Sequence, residues 1–177
     1  MHDAVLALAA GKGCHGWDRD GVAAKANVAV ATVRAHYDSN EDLLSDAVLS
    51  RASEFLEQLG AGAAGGGRTP RSRILKVVRA LTESLTGDPL LGRDGLRAVI
   101  SGGDGTATAA GVAAEQLQMA LARAVAGSEP GDPEWAVAGV IQGVWLAAAV
   151  AWTLDPGPAE HIDDAVVRAL RLMKVNG

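Results

Sequence analysis

The chain has a single cysteine, Cys14, in 177 residues, so no intramolecular disulfide framework holds it and its stability must come from packing. Aromatic residues are also few, at 3%. Strands favour β-branched and aromatic side chains, so this shortage beside abundant Ala and Gly points to close-packed helices. No cationic segment followed by an apolar run opens the sequence as a secretion signal would, and the expected setting is the reducing cytoplasm. Familiar catalytic arrangements are also lacking. There is no P-loop and no G-x-S-x-G elbow, and the glycines between 60 and 67 lack the strand, basic residue and helix start of a phosphate cradle. Cys14 and His15 are adjacent, but His2, His36 and His161 are scattered and complete no tetrahedral set. The expectation is a protein with no enzymatic activity, no cofactor and no metal, in which Cys14 is a surface thiol. The sequence shows no internal repeat and no charge block long enough for a disordered tail.

At 49% hydrophobic, the chain can bury one sizeable core, or a small domain attached to a larger one. Its apolar spacing predicts only helices. Val5, Leu6, Leu8 and Ala9 mark a first helix stopping at Gly11 or Gly13, two short helices fit before residue 40, and a long one runs from about Glu41 to Gln58. The run Leu59 to Gly67 is glycine-rich enough to read as a flexible loop. Beyond it, Ile74, Leu75, Val78, Leu81 and Leu85 share one face of a helix over Ser72–Leu85, ended by Thr86-Gly87-Asp88-Pro89. Helices then follow at Leu90–Ile100, Ala107–Val125, Glu134–Leu154, with Pro133 at its start, and Ala159–Val175.

Residues 18–44 read DRDGVAAKANVAVATVRAHYDSNEDLL. A helix-turn-helix needs a small residue where its helices touch, a turn residue tolerant of positive φ, and apolar residues that close the angle between them. Ala23 fits the first requirement and Asn27 the second, since asparagine enters the left-handed region more readily than other non-glycine residues. Val22, Ala26, Val28 and Val33 supply the inner face, and Asp18 is a good N-cap for the first helix of the pair. Spacing alone leaves an alanine-rich helical hairpin equally open. The formal charge of −5 also weighs against a polyanionic partner, because phosphate neutralisation needs clustered Lys and Arg.

The stretch Gly13 to Leu44 resembles, without a gap, the DNA-binding domain of the TetR family of transcriptional regulators. The matching residues are Val22-Ala23, Ala26-Asn27-Val28, Thr32-Val33, His36-Tyr37 and Ser39-Asn40-Glu41-Asp42-Leu43-Leu44, and the last group is the most specific. The resemblance implies an all-α homodimer: a three-helix DNA-binding domain with a helix-turn-helix over 1–44, and a helical ligand-binding and dimerisation domain over 45–177. It also implies that the second helix of the motif enters the major groove, with Ala29, Val30, Ala31, Thr32 and Val33 near base edges and Arg34, His36, Tyr37 and Asn40 near phosphates. With the cap Asp18, these form the expected DNA-binding surface. Where the family usually has tyrosine, Arg34 contacts phosphate or reaches guanine. The expected partners are an operator in double-stranded DNA, a second copy of the chain and a small apolar effector that releases a repressor. The alternative is a TetR-like dimeric scaffold or protein-interaction module with weak or no DNA binding.

Trp135 to Leu154 is an uncharged apolar run bordered by Glu134 and Asp155. Acidic flanks and the lack of a second span argue for a buried helix over a membrane span. Gly139, Gly143, Ala147 and Ala151 form a small-residue stripe along it, flanked by Trp145 and Trp152. In the family the last two helices pair with their twins, so this helix with Ile162, Val166, Ala169, Leu170 and Met173 forms the expected dimer face, intrachain core being the alternative. An apolar effector pocket among the middle helices has Gln116, Met119, Gln142 and Trp145 as candidate lining residues.

Overall fold

The computed structural model describes residues 1–63, 67–102, 104–155 and 157–175. The described residues are helical, with no strand: α1 (His2–Ala9), a 3-10 turn at Gly13–His15, α2 (Arg19–Ala26), α3 (Val30–His36), α4 (Asn40–Gly62), α5 (Pro70–Thr86), α6 (Pro89–Ser101), α7 (Asp104–Ala126), α8 (Asp132–Leu154) and α9 (Glu160–Leu172). The chain divides into two compact units, Met1–Ala52 with Gly87–Val112, and Ser53–Thr86 with Ala113–Gly177. The division falls within α4 and α7.

In the first unit α1–α3 and the start of α4 close around Val5, Ala9, Val22, Val33, Leu43 and Leu44, joined by Ala98 of α6. Helix α6 starts at an Asp88 cap, whose Oδ1 accepts from Leu91 N at 3.1 Å, followed by Pro89 at the first helical position. The other carboxylate oxygen of Asp88 accepts from Gly11 N at 2.8 Å, and Asp94 Oδ2 accepts from Cys14 N at 2.8 Å, so α6 holds the turn between α1 and α2. These backbone donors hold the Asp88 carboxyl below its ordinary pKa. That turn needs its glycines. Gly13 has φ +64°, and a Cβ there would meet Asp94 Oδ2 at 2.1 Å. Cys14 is half-buried rather than a surface thiol, and burial together with the Asp94 carboxylate pushes its pKa up.

In the second unit α5, α8 and α9 pack around Ile74, Val78, Ile141, Ile162, Val166 and Leu170. Arg73 is buried on α5, 8% exposed, and donates from Nε to Ala124 O at 2.7 Å and from Nη2 to Val125 O at 3.0 Å. It thereby pairs carbonyls that the C-terminus of α7 cannot satisfy within the helix. Gly127 ends α7 at φ +74°, and a Cβ there would stand 2.8 Å from Arg73 Nη2.

Two expectations are corrected here. The run Leu59 to Gly67 does not begin as a loop, because α4 continues to Gly62. Gly60 is buried and faces the Ala120 methyl on α7, so close helix packing outweighs its poor helix propensity; residues 64–66 of that run lie outside the described residues. Ile162, Val166 and Leu170, expected at the dimer face, are at most 1% exposed and belong to the core of their own chain. On α9 these positions turn towards α5 and α8, leaving Glu160, Asp164, Arg168 and Arg171 outside.

Candidate nucleic-acid interface and effector groove

Local chemistry accounts for the helix-turn-helix. Asp18 is extended and caps α2, its Oδ1 accepting from Gly21 N at 2.7 Å. Asn27 ends α2 at φ 54°, ψ 47°, with Val28 N donating back to Ala23 O at 3.0 Å. Ala23 is fully buried where α2 meets α3, with Val22 and Val33 beside it. Val28, expected on the inner face, is 40% exposed. The left-handed Asn27 turns the chain at this point, and Val28 lies outside the helix contact.

With Val33 as its buried residue, α3 leaves Val30, Ala31, Thr32, Arg34 and His36 facing solvent, preceded by exposed Ala29 at the N-cap. No charge is buried on this face. Arg34 Nη2 pairs with Asp20 Oδ1 of α2 at 2.8 Å, both side chains more than half exposed, so the pair is weak and open to exchange. His36 Nδ1 lies 2.8 Å from Thr32 O. The Tyr37 hydroxyl donates to Asp46 on α4, which also bonds His2 Nε2 at 2.9 Å. Burial and the Asp46 carboxylate raise the Tyr37 pKa, keeping the phenol protonated and turned back onto the fold. Asn40 Nδ2 donates to Trp17 O at 3.2 Å. Thus Ala29 to Thr32, Arg34 and His36 are open to solvent around the side of α3 away from Val33, whereas Tyr37 and Asn40 are engaged within the domain.

Sequence reasoning missed two residues that set this face. Arg19 Nη1 donates to Tyr37 O at 2.7 Å and Asp38 O at 2.9 Å, fastening the end of α3 to the start of α2. Trp17 packs on the core and donates from Nε1 to Gly13 O at 3.1 Å. Nothing in the spacing singles out Arg19; Trp17, one of few aromatics in the chain, was a visible signal.

The candidate effector residues separate. Gln116 and Met119 on α7 line an open groove of about 350 Å³ against the second half of α4, with Leu56, Gly60 and Arg123. Gln142 is on α8 and donates to Ala114 O at 2.9 Å. Trp145 Nε1 donates to Thr82 Oγ1 at 3.1 Å, and Thr82 donates to Asp163 Oδ1 at 2.6 Å, a chain that ties α8, α5 and α9 together.

Residues 67–173 match the family described as "Tetracyclin repressor-like, C-terminal domain". The chain belongs to the TetR family of transcriptional regulators. It is 30% identical over 175 residues to the HTH-type transcriptional repressor KstR of Rhodococcus jostii, covering 99% of this chain and 81% of that protein. Among solved structures, a TetR transcriptional regulator from Rhodococcus sp. RHA1 superposes with a TM-score of 0.77 at 17% identity, covering 99% of this chain and 93% of that one. The FadR repressor of Thermus thermophilus, solved in complex with lauroyl-CoA, gives 0.72 at 19% identity, covering 98% and 91%. These structural likenesses concern the all-helical TetR fold.

Proposed function

We propose that this TetR-family chain is a dimeric, sequence-specific DNA-binding repressor released by a small, largely apolar effector. The observation that carries DNA binding is the open face of α3, held by the Asp18 cap, the left-handed Asn27 and the buried Ala23–Val33 contact. Such a helix presents base-reading side chains once phosphate contacts fix its register. Its similarity to KstR, named as a transcriptional repressor, supports the sign of regulation, and the lauroyl-CoA in the Thermus relative supports an acyl-bearing effector. Helix α8 supports the dimer. It is strongly apolar, yet its own chain covers little of it, and Val140, Leu146 and Leu154 are exposed. It is long and apolar enough to cross a membrane, but a second copy covers the same face in a soluble regulator, which needs no membrane.

The test is selection from a pool of random duplexes by the full-length protein. A two-fold symmetric site with half-sites about one helical turn apart is expected; recovery of no preferred sequence favours the scaffold. Arg34→Ala then separates two roles. Loss of about 1–3 kcal/mol confined to one base pair assigns guanine reading, whereas uniform weakening with a shallower salt dependence assigns phosphate contact. An unaltered isotherm removes Arg34 from the interface.

A further inference from the structure

The first turn of α2 fastens to α3 at two neighbouring places. Arg19 Nη1 holds the carbonyls of Tyr37 and Asp38 just past the end of α3, and the next residue, Asp20, accepts from Arg34 Nη2 at 2.8 Å through Oδ1. Asp20 is not needed to start α2, because Asp18 is the cap and bonds Gly21 N. Its carboxylate is more than half exposed, and among the described residues its contact is Arg34.

Arg34 differs in kind from its neighbours on the open side of α3. Ala29, Val30, Ala31 and Ala35 offer only methyl groups there, Thr32 a single hydroxyl, and His36 has Nδ1 at Thr32 O. Guanine presents two acceptors in the major groove, O6 and N7, and a planar guanidinium meets both with parallel donors. The Asp20 contact uses one Nη2 hydrogen of Arg34. Its second Nη2 hydrogen, Nη1 and Nε have no partner among the described residues.

The carboxylate acts on Arg34 in two ways. It holds the plane of the guanidinium, so less rotamer freedom is lost when a base arrives. It also offsets the attraction of that cation for phosphate, which is the same at every sequence. The pair is weak in open solvent, but a covering groove excludes water and strengthens the same contact.

We propose that Asp20 is a positioning residue for DNA reading: it holds the Arg34 guanidinium with its free donors towards a guanine, and so sets specificity at one base pair. The proposal rests on the DNA-binding reading above and assigns Arg34 to guanine rather than phosphate.

The experiment measures binding of the full-length protein to its selected duplex and to duplexes in which each G·C pair of the half-site is changed singly to A·T. The ratio of the two affinities gives the discrimination at each pair. In the wild type it is expected to reach about tenfold or more at one pair, and Arg34→Ala to bring that ratio close to one. Asp20→Asn is expected to lower the ratio at the same pair about threefold, the scale of an exposed ion pair, and to leave the other pairs unchanged. Asp20→Ala, which removes the acceptor as well, lowers it at least as far. Loss of a carboxylate also raises affinity for any duplex, but matched and mismatched duplexes rise together, so the ratio isolates positioning. In the Arg34→Ala protein, Asp20→Asn is expected to change the ratio no further. Both side chains are exposed, so the variants keep the wild-type melting temperature. An unchanged ratio in Asp20→Asn and Asp20→Ala, a ratio lowered alike at every pair, or an Arg34→Ala protein altered at no single pair overturns the proposal. A wild type that selects no sequence overturns the DNA-binding reading itself, and registers before any variant is compared.

Discussion

Gly143→Leu is expected to turn the proposed dimer into a folded monomer, seen as a halved mass in light scattering with the helical circular dichroism signal and melting curve intact. Gly143 is exposed on α8, and a Cβ built there meets nothing within 4 Å in its own chain. The leucine therefore has space in the monomer, unlike a substitution in the core. Ala147 and Ala151 continue this exposed small-residue face, with Val140, Leu146 and Leu154 as its larger apolar residues. In a two-fold dimer the substitution occurs on both sides of the interface. Overpacking costs about 1–3 kcal/mol at a close contact, so two copies suffice to weaken association by well over tenfold. A variant that stays dimeric at micromolar concentration places the interface elsewhere.

Arg73→Met is expected to be the most destabilising single change outside the apolar core. Methionine roughly keeps the length of the side chain and removes every donor, leaving Ala124 O and Val125 O without the partners they have at 2.7 and 3.0 Å. Each buried carbonyl left unpaired costs about 1–3 kcal/mol, for a combined loss of about 3 kcal/mol. In a chain of this size that lowers the melting temperature by about 6–12 °C. Gly127→Ala probes the same contact from the other side, since its Cβ would press on the guanidinium at φ +74°. The two substitutions should be strongly non-additive, because Arg73→Met removes the group with which the new methyl collides. Additive losses would show that the contact does not hold the end of α7.

The DNA-binding motif was legible because its determinants are local. A capping aspartate, a residue suited to the left-handed region and a small residue at the helix contact act within a few residues of their own position, and Asp18, Asn27 and Ala23 take these places. What stayed hidden depends on which distant segment arrives. Gly60 signals a break by propensity and is helical because Ala120 packs against it. On α9 the apolar stripe of Ile162, Val166 and Leu170 has the same spacing whether it faces a twin or its own chain, and only packing with α5 and α8 decides. Asn40 and Tyr37 show the same limit at the candidate interface. Sequence position beside the recognition helix puts both near phosphate, yet one bonds Trp17 O and the other Asp46. Trp145, a large apolar residue of the kind that lines pockets, is held by Thr82.

The first fifty residues carry four cationic against seven acidic side chains, so the proposed binding of DNA by the α3 face rests on specific contacts more than on bulk charge. The most direct measurement is therefore the affinity of the full-length protein for its selected duplex and for a scrambled duplex of the same length, at salt from about 50 to 200 mM. The selected site should bind about a thousandfold or more tightly than the scrambled one, with affinity falling steeply as salt rises. Equal affinity for the two duplexes, at any salt, would contradict sequence-specific DNA binding by this chain.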